Sequence, residues 1–260
     1  MDPFILKIVL LFIIGSAWIT FTTLLAEKRG TRIAGIIAGL PSAILLTVLF
    51  IALNQGLDTA IKSTTTIPIS MGASAMFVSV YILVSRKDFL LSLILALLCW
   101  FIIAAAIYFI NPNFIFSILG WMILLGAAYF LIKSSSDSQM PKKASYSLSQ
   151  IFLRAIFSGS LIVFAVLIAK IGGPTLGGIF AAFPMMTLPS IIITYLAQGR
   201  TFSTAFMKSM MLSSSLNVVA FVIGIRYFLM PFGLFFGTIL SLFLSLLVTW
   251  IFFFIPKNSQ

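Results

Sequence analysis

The sequence predicts an all-α integral membrane protein with nine transmembrane helices, arranged as two inverted-topology four-helix repeats joined by a linking span. Three observations carry this. Of the 260 residues, 61% are hydrophobic and 8% charged, against roughly half and a quarter in soluble domains. Apolar runs of about 20 residues, the length that crosses a bilayer core of about 30 Å, recur along the whole chain. The chain also aligns on itself, the mark of an internal duplication.

The spans fall near 4–25, 33–53, 65–84, 89–110, 113–132, 151–170, 175–196, 207–225 and 231–254. The opening MDPFILKIVLL lacks the basic n-region and small-residue cleavage site of a secretory signal, so the first span is expected to be retained. Residues 1–112 form the first repeat (spans 1–4), 113–132 the linking span 5, and 133–150 a polar, Ser-rich, basic loop. The second repeat, 151–256, holds spans 6–9. No polar segment approaches the roughly 50 residues of a soluble domain, so one membrane domain is expected.

Charge sets the orientation. Cytoplasmic loops are enriched in Lys and Arg. Counting alternate loops puts Lys7, Lys62, Lys170 and Arg226 on the amino-terminal side. The opposite side receives Lys28, Arg29, Arg32, Arg86, Lys87, Lys133, Lys142, Lys143, Arg154, Arg200, Lys208 and Lys257. The expectation is a cell-membrane protein with its amino terminus outside and its carboxyl terminus in the cytoplasm. The net charge of +11 follows loop ends and forms no clustered basic face, so nucleic acid is not an expected partner; membrane lipids are.

Catalytic chemistry has little to work with. Histidine is absent, Cys99 is the single cysteine, and Asp2, Glu27, Asp58, Asp88 and Asp137 all fall at span ends or in loops. Hydrolytic and metal-dependent sites need such groups converging in one place. No enzyme, no cofactor and no metal site is therefore expected, and Cys99 is read as a packing residue.

The duplication is clearest where residues 25–56 lie without gaps on 168–199. The pairs Gly30/Gly173, Gly35/Gly178, Pro41/Pro184, Gln55/Gln198 and Gly56/Gly199 are identical, as are Ala26/Ala169, Ile36/Ile179, Ala38/Ala181, Leu45/Leu188 and Leu53/Leu196. After one inserted residue the register runs on weakly to Pro112 against Pro256. The odd linking span makes the second copy enter the membrane from the opposite side, and the basic residues follow the side and not the repeat. Inverted repeats of this kind are the usual build of secondary transporters.

The pattern from Leu25 through Ile33-Ala34-Gly35 to Pro41, the Gln55-Gly56 turn and the Ser-rich third span resemble the GlpM-type family of small four-span bacterial inner-membrane proteins. The resemblance covers Leu25 to about Ser85, and more loosely Ile168 to about Gly224, where Leu176-Gly177-Gly178 departs from the pattern. It implies a chain similar to a fused, inverted pair of such units and brings no known reaction.

The paired prolines mark the candidate site. A proline inside a helix lacks the amide hydrogen and clashes with the carbonyl four residues back. Pro41, Pro184 and Pro189 are thus expected to free the carbonyls of Ile37, Phe180 and Met185, which need partners at membrane depth. Ser42, Thr187 and Ser190 lie beside them, Ser214 and Asn217 fall at a comparable depth of span 8, and Arg154 lies just inside span 6. Together with Gly35 and Gly178 these are the candidate substrate-binding residues. Each has a plainer reading: Gly35-x-x-x-Gly39 and Gly178-x-x-x-Ala182 are close-packing patterns, the Ser and Asn residues interhelical hydrogen bonders, and Arg154 an interface anchor.

Two functions remain open from the sequence. The first is a small secondary transporter or facilitator, with its pathway at broken spans 2 and 7 and a small or lipid-like, amphipathic substrate. The second is a non-transporting scaffold or assembly subunit of an envelope or lipid pathway, which requires continuous, tightly packed spans with no central cavity.

Overall fold

A computed structural model of the chain describes residues 3–28, 41–133 and 147–254. The described residues are helical, without a strand, in eight helices. These are α1 (Pro3–Lys28), α2 (Ser42–Gln55), α3 (Leu57–Ser63), α4 (Ile67–Val84), α5 (Phe89–Ile110), α6 (Phe114–Lys133), α7 (Leu148–Ala181) and α8 (Thr187–Phe254). Five, α4 to α8, are long and apolar enough to cross a membrane. Gly35 and most of the 133–150 loop lie outside the described residues.

Eight helices stand where nine spans were expected, because α8 runs over three of them. Straight, its 68 residues would reach about 100 Å, more than three hydrocarbon cores. It is interrupted at Gly199 (φ 78°, ψ −175°) and Gly233 (φ 72°, ψ 179°), and α7 likewise at Gly173 (φ 74°, ψ −172°). Gly56, between α2 and α3, has φ 90° and ψ 163°. This corner of backbone space is essentially closed to residues with a Cβ. Gly56 and Gly199, paired in the sequence alignment, share it.

A Cβ added at either glycine would meet nothing within 4 Å, so substitution there tests the backbone alone. Gly56→Ala and Gly199→Ala are each expected to lower stability by about 2 kcal/mol. Gly126→Ala, also in open space but in an ordinary helical conformation, is expected to be neutral or slightly stabilising. Thermal unfolding in detergent checks this; equal losses at all three positions would contradict it.

Local chemistry explains the other boundaries. Asp88 caps α5, its side chain accepting from the Leu91 amide at 2.7 Å, as Asp at an N-cap does. Asn111 ends α5 in the left-handed region at φ 46°, Pro112 cannot continue it, and Asn113 starts α6 by accepting from the Phe116 amide at 3.0 Å. The seryl Oγ of Ser117 on α6 accepts from the Ile69 amide in the first turn of α4 at 3.1 Å. The short helix α3 lies between the expected spans 33–53 and 65–84; it carries its own i,i+4 ion pair, Lys62–Asp58 at 2.6 Å, and packs on α2 and α7.

α4 is the central element. It packs on α5, α6, α7 and α8, and 72% of it is buried, against 33% or less for the other four long helices. Those four turn large apolar side chains outward, among them Phe109, Phe116, Phe130, Phe235 and Phe243. That surface requires an apolar surrounding.

Candidate functional site

Where α7 ends and α8 begins, the chain leaves the helix over residues 182–186. The Ile179 and Phe180 carbonyls accept from the Ala182 and Phe183 amides at 3.2 and 3.1 Å, an i to i+3 tightening that ends the helix. The Phe180 carbonyl expected to be freed by Pro184 is thus taken up by the turn. The Ala182 carbonyl leaves the backbone ladder: it accepts from Ser74 Oγ on α4 at 2.6 Å. Ser74 Oγ in turn accepts from Trp100 Nε1 on α5 at 3.2 Å. The Trp100 ring meets Phe183 edge-on at 4.8 Å and Phe180 at 5.7 Å.

Beyond the break, the Pro184 carbonyl accepts from the Leu188 amide at 2.8 Å, and the Pro41 carbonyl from the Leu45 amide at 2.7 Å. These are the same bond at positions paired in the sequence self-alignment, and in each case the proline opens a helix. Pro189 lies in the first turn of α8, where an amide hydrogen has no intrahelical partner. It therefore breaks nothing.

Pro41 and Pro184 line one cavity of about 60 Å³, together with Thr187, Ser74, Ser214 and Met185. A second lobe of about 30 Å³ shares Met71, Ser74, Thr187, Met210 and Ser214 with it and adds Met207, Met211 and Ser215. Helical periodicity builds these walls. Met71, Ser74, Ala75 and Val78 are spaced i, i+3, i+4, i+7 on α4, and Met207, Met210, Met211, Ser214 and Ser215 follow the same rule on α8. Ser74 stands near the midpoint of α4, so the cavity is central along that helix.

Both ends of α4 are tied by polar contacts. At its start, Thr66 Oγ1 donates to the Thr175 carbonyl at 3.1 Å, and Arg226 donates to the hydroxyls of Thr64 and Thr65 at 3.2 Å each. The Arg226 guanidinium also lies 4.4 Å over the Phe114 ring. Toward its finish, Tyr81 donates to Ser203 Oγ at 2.8 Å, Thr194 donates to the same oxygen at 3.0 Å, and Phe89 stacks on Tyr195 at 3.9 Å.

The sequence candidates divide. Pro41, Pro184, Thr187 and Ser214 line the cavity. Ser42 is buried beside Pro41 with its hydroxyl unpartnered, outside the lining. Ser190 serves the helix: its amide bonds the Met186 carbonyl and its own carbonyl accepts from Thr194. Asn217 is bonded to Ser245 across α8 through both its side-chain and backbone oxygens. Gly178 allows the end of α7 to press against the backbone of Ser63 and the hydroxyl of Thr66. The side chain of Arg154, in α7, lies outside the described ones.

From the sequence, Ser74 is legible as a cavity-lining residue or interhelical hydrogen bonder, and Met185 and Met186 as the place where the halves differ; Trp100 behind Ser74 and the methionines Met71, Met207, Met210 and Met211 are not. For those four methionines the signal was the i, i+3, i+4 spacing; for Trp100 there was none. Among the described residues no three of His, Cys, Asp and Glu come together.

Residues 8–113 are similar to a family described as a protein of unknown function, DUF3147. No curated protein and no solved structure matches the chain.

Proposed function

We propose that this chain is a small secondary transporter or facilitator whose site is the cavity at the paired proline breaks. One observation carries the reading: Pro41 and Pro184, equivalent in the duplication, line the same central cavity and make the same bond to equivalent leucines. Interrupted helices at corresponding positions of two halves are where transporters hold their substrate. A scaffold subunit has no use for such a void, which argues against the second function.

The proposal includes nine spans in two inverted repeats. The shared conformation of Gly56 and Gly199 supports it, as does a family match over 8–113 that coincides with the first repeat, 1–112. It also includes an outward amino terminus in the cell membrane. In favour, Lys7 donates to the Leu53 carbonyl at 3.3 Å and Arg226 reaches Thr64 and Thr65, next to Lys62. Three of the four basic residues counted on the outer side thus gather around α3 and the end of α2. The similarity to GlpM-type units belongs to the same proposal, as does the absence of catalysis.

Cargo size follows from the volume. Pockets for drug-sized ligands hold about 300–1,000 Å³, and lobes of about 60 and 30 Å³ suit a cargo of few atoms. A lipid-like substrate would require the cavity to open.

Access tests the reading. In a Cys99→Ala background, Ser214→Cys places one thiol on the wall shared by both lobes. A membrane-impermeant maleimide applied to right-side-out or inverted vesicles is expected to label it from either side. A thiol inert from both sides, in protein that unfolds normally, would sink the transport reading.

A further inference from the structure

We infer that the smaller lobe is a thioether site for a soft monovalent cation of the Cu(I) class, and that this ion is the cargo. The inference rests on the transport reading for the site's role. It starts from an unequal distribution: of eleven methionines in 260 residues, Met71, Met185, Met186, Met207, Met210 and Met211 line the two lobes.

Three points favour an ion over packing. First, Met207, Met210 and Met211 present one face of α8, Met71 faces them from α4, and all four border a space of about 30 Å³. A space of that size takes one or two water-sized bodies; the Met211 sulfur accepts from the Ser79 hydroxyl at 3.8 Å, which leaves Met71, Met207 and Met210 as the principal thioether donors. Methionine used as filler closes irregular gaps; here the gap persists.

Second, the donors select the ion. Neutral thioethers and the hydroxyls of Ser74, Thr187, Ser214 and Ser215 carry no charge to offset a divalent ion. Hard cations take carboxylate and carbonyl oxygens, and soft thioethers select Cu(I). Histidine, cysteine and carboxylates do not line this lobe, and its soft donors are thioethers. The lobe lies along α4 and α8, clear of the α2 amino terminus, which borders only the larger lobe; of the helix ends with partial positive charge, only that of α8 reaches it, through Thr187.

Third, the methionines break the symmetry of the duplication. Met185 and Met186 stand opposite Ser42 and Ala43, and in the continued register Met207, Met210 and Met211 stand opposite Ser63, Thr66 and Ile67. A fold requirement shared by both halves would put like residues at both places.

The test uses Ag(I), a redox-inert stand-in, in nitrate buffer, on the purified full chain in detergent with Cys99→Ala to remove the competing thiol. Equilibrium dialysis is expected to show one ion per chain. The absorption edge of the bound silver is expected to report a first shell of sulfur, a reading that needs no further mutation. Met71→Leu with Met210→Leu, near-isosteric changes at the two methionines shared by both lobes, is expected to weaken binding at least about tenfold. Met122→Leu with Met230→Leu, at exposed positions, is expected to leave it unchanged. No retained silver, a shell of oxygen or nitrogen, or equal binding by the two double variants would overturn the inference. Labelling at Ser214→Cys is independent of what binds, so two-sided access without silver binding would leave the transporter and remove only this cargo.

Discussion

Gly178→Ala is expected to destabilise the protein by about 2–4 kcal/mol. A Cβ at this position would fall on the backbone oxygen of Ser63 and on Thr66 Oγ1. Neither can yield cheaply. Ser63 ends α3, and Thr66 Oγ1 holds the Thr175 carbonyl, so moving it gives up a hydrogen bond worth about 1 kcal/mol. Overpacking against a fixed neighbour adds about 1–3 kcal/mol. The measurement is detergent-solubilised unfolding, with Gly126→Ala as the open-space control. A Gly178→Ala protein as stable as the control would mean that the end of α7 is not pressed against the turn before α4. Since Gly178 lies outside the cavity, labelling at Ser214→Cys is expected to survive in whatever fraction folds.

Ser74→Ala is expected to cost about 3 kcal/mol, and here the site is affected directly. The hydroxyl donates to the Ala182 carbonyl and accepts from Trp100 Nε1, both buried. Its loss orphans two polar groups, each at about 1–3 kcal/mol. Ser74→Thr keeps the hydroxyl and is expected to recover part of the loss. Trp100→Phe removes the donor and part of the ring that meets Phe180 and Phe183 but leaves the Ser74–Ala182 bond in place, so combining it with Ser74→Ala is expected to cost less than the sum of the two. If the two substitutions are additive in the double variant, the three groups do not act as one network.

Much of the fold was legible. The expected spans at 65–84, 89–110 and 113–132 lie within one or two residues of α4, α5 and α6. Asp88 and the Asn111-Pro112-Asn113 stretch act through local chemistry that a single sequence carries. The prolines pointed to the cavity because the self-alignment of the sequence pairs Pro41 with Pro184. The division of the site candidates was not legible. Ser42 and Thr187 look alike on paper; which one faces the void depends on the rotation of each helix about its axis, set by neighbours such as Trp100 and α4. Pro189 misled for a related reason: its effect depends on where α8 starts, and that is fixed by the turn at 182–186. The joints of α8 were largely legible too: Gly199 falls between the expected spans 175–196 and 207–225, and Gly233 lies just inside the expected start of 231–254.

Those glycines also divide mechanical labour within the chain. Gly173 and the turn at 182–186 bound a piece of α7, residues 174–181, about 12 Å long and stiffened by its own backbone ladder. Its non-helical backbone lies at those two joints alone, and along it Thr66 holds Thr175, Ser63 abuts Gly178 and Ser74 holds Ala182, so the piece is set against α3 and α4 as one rigid strut that fixes the cavity wall.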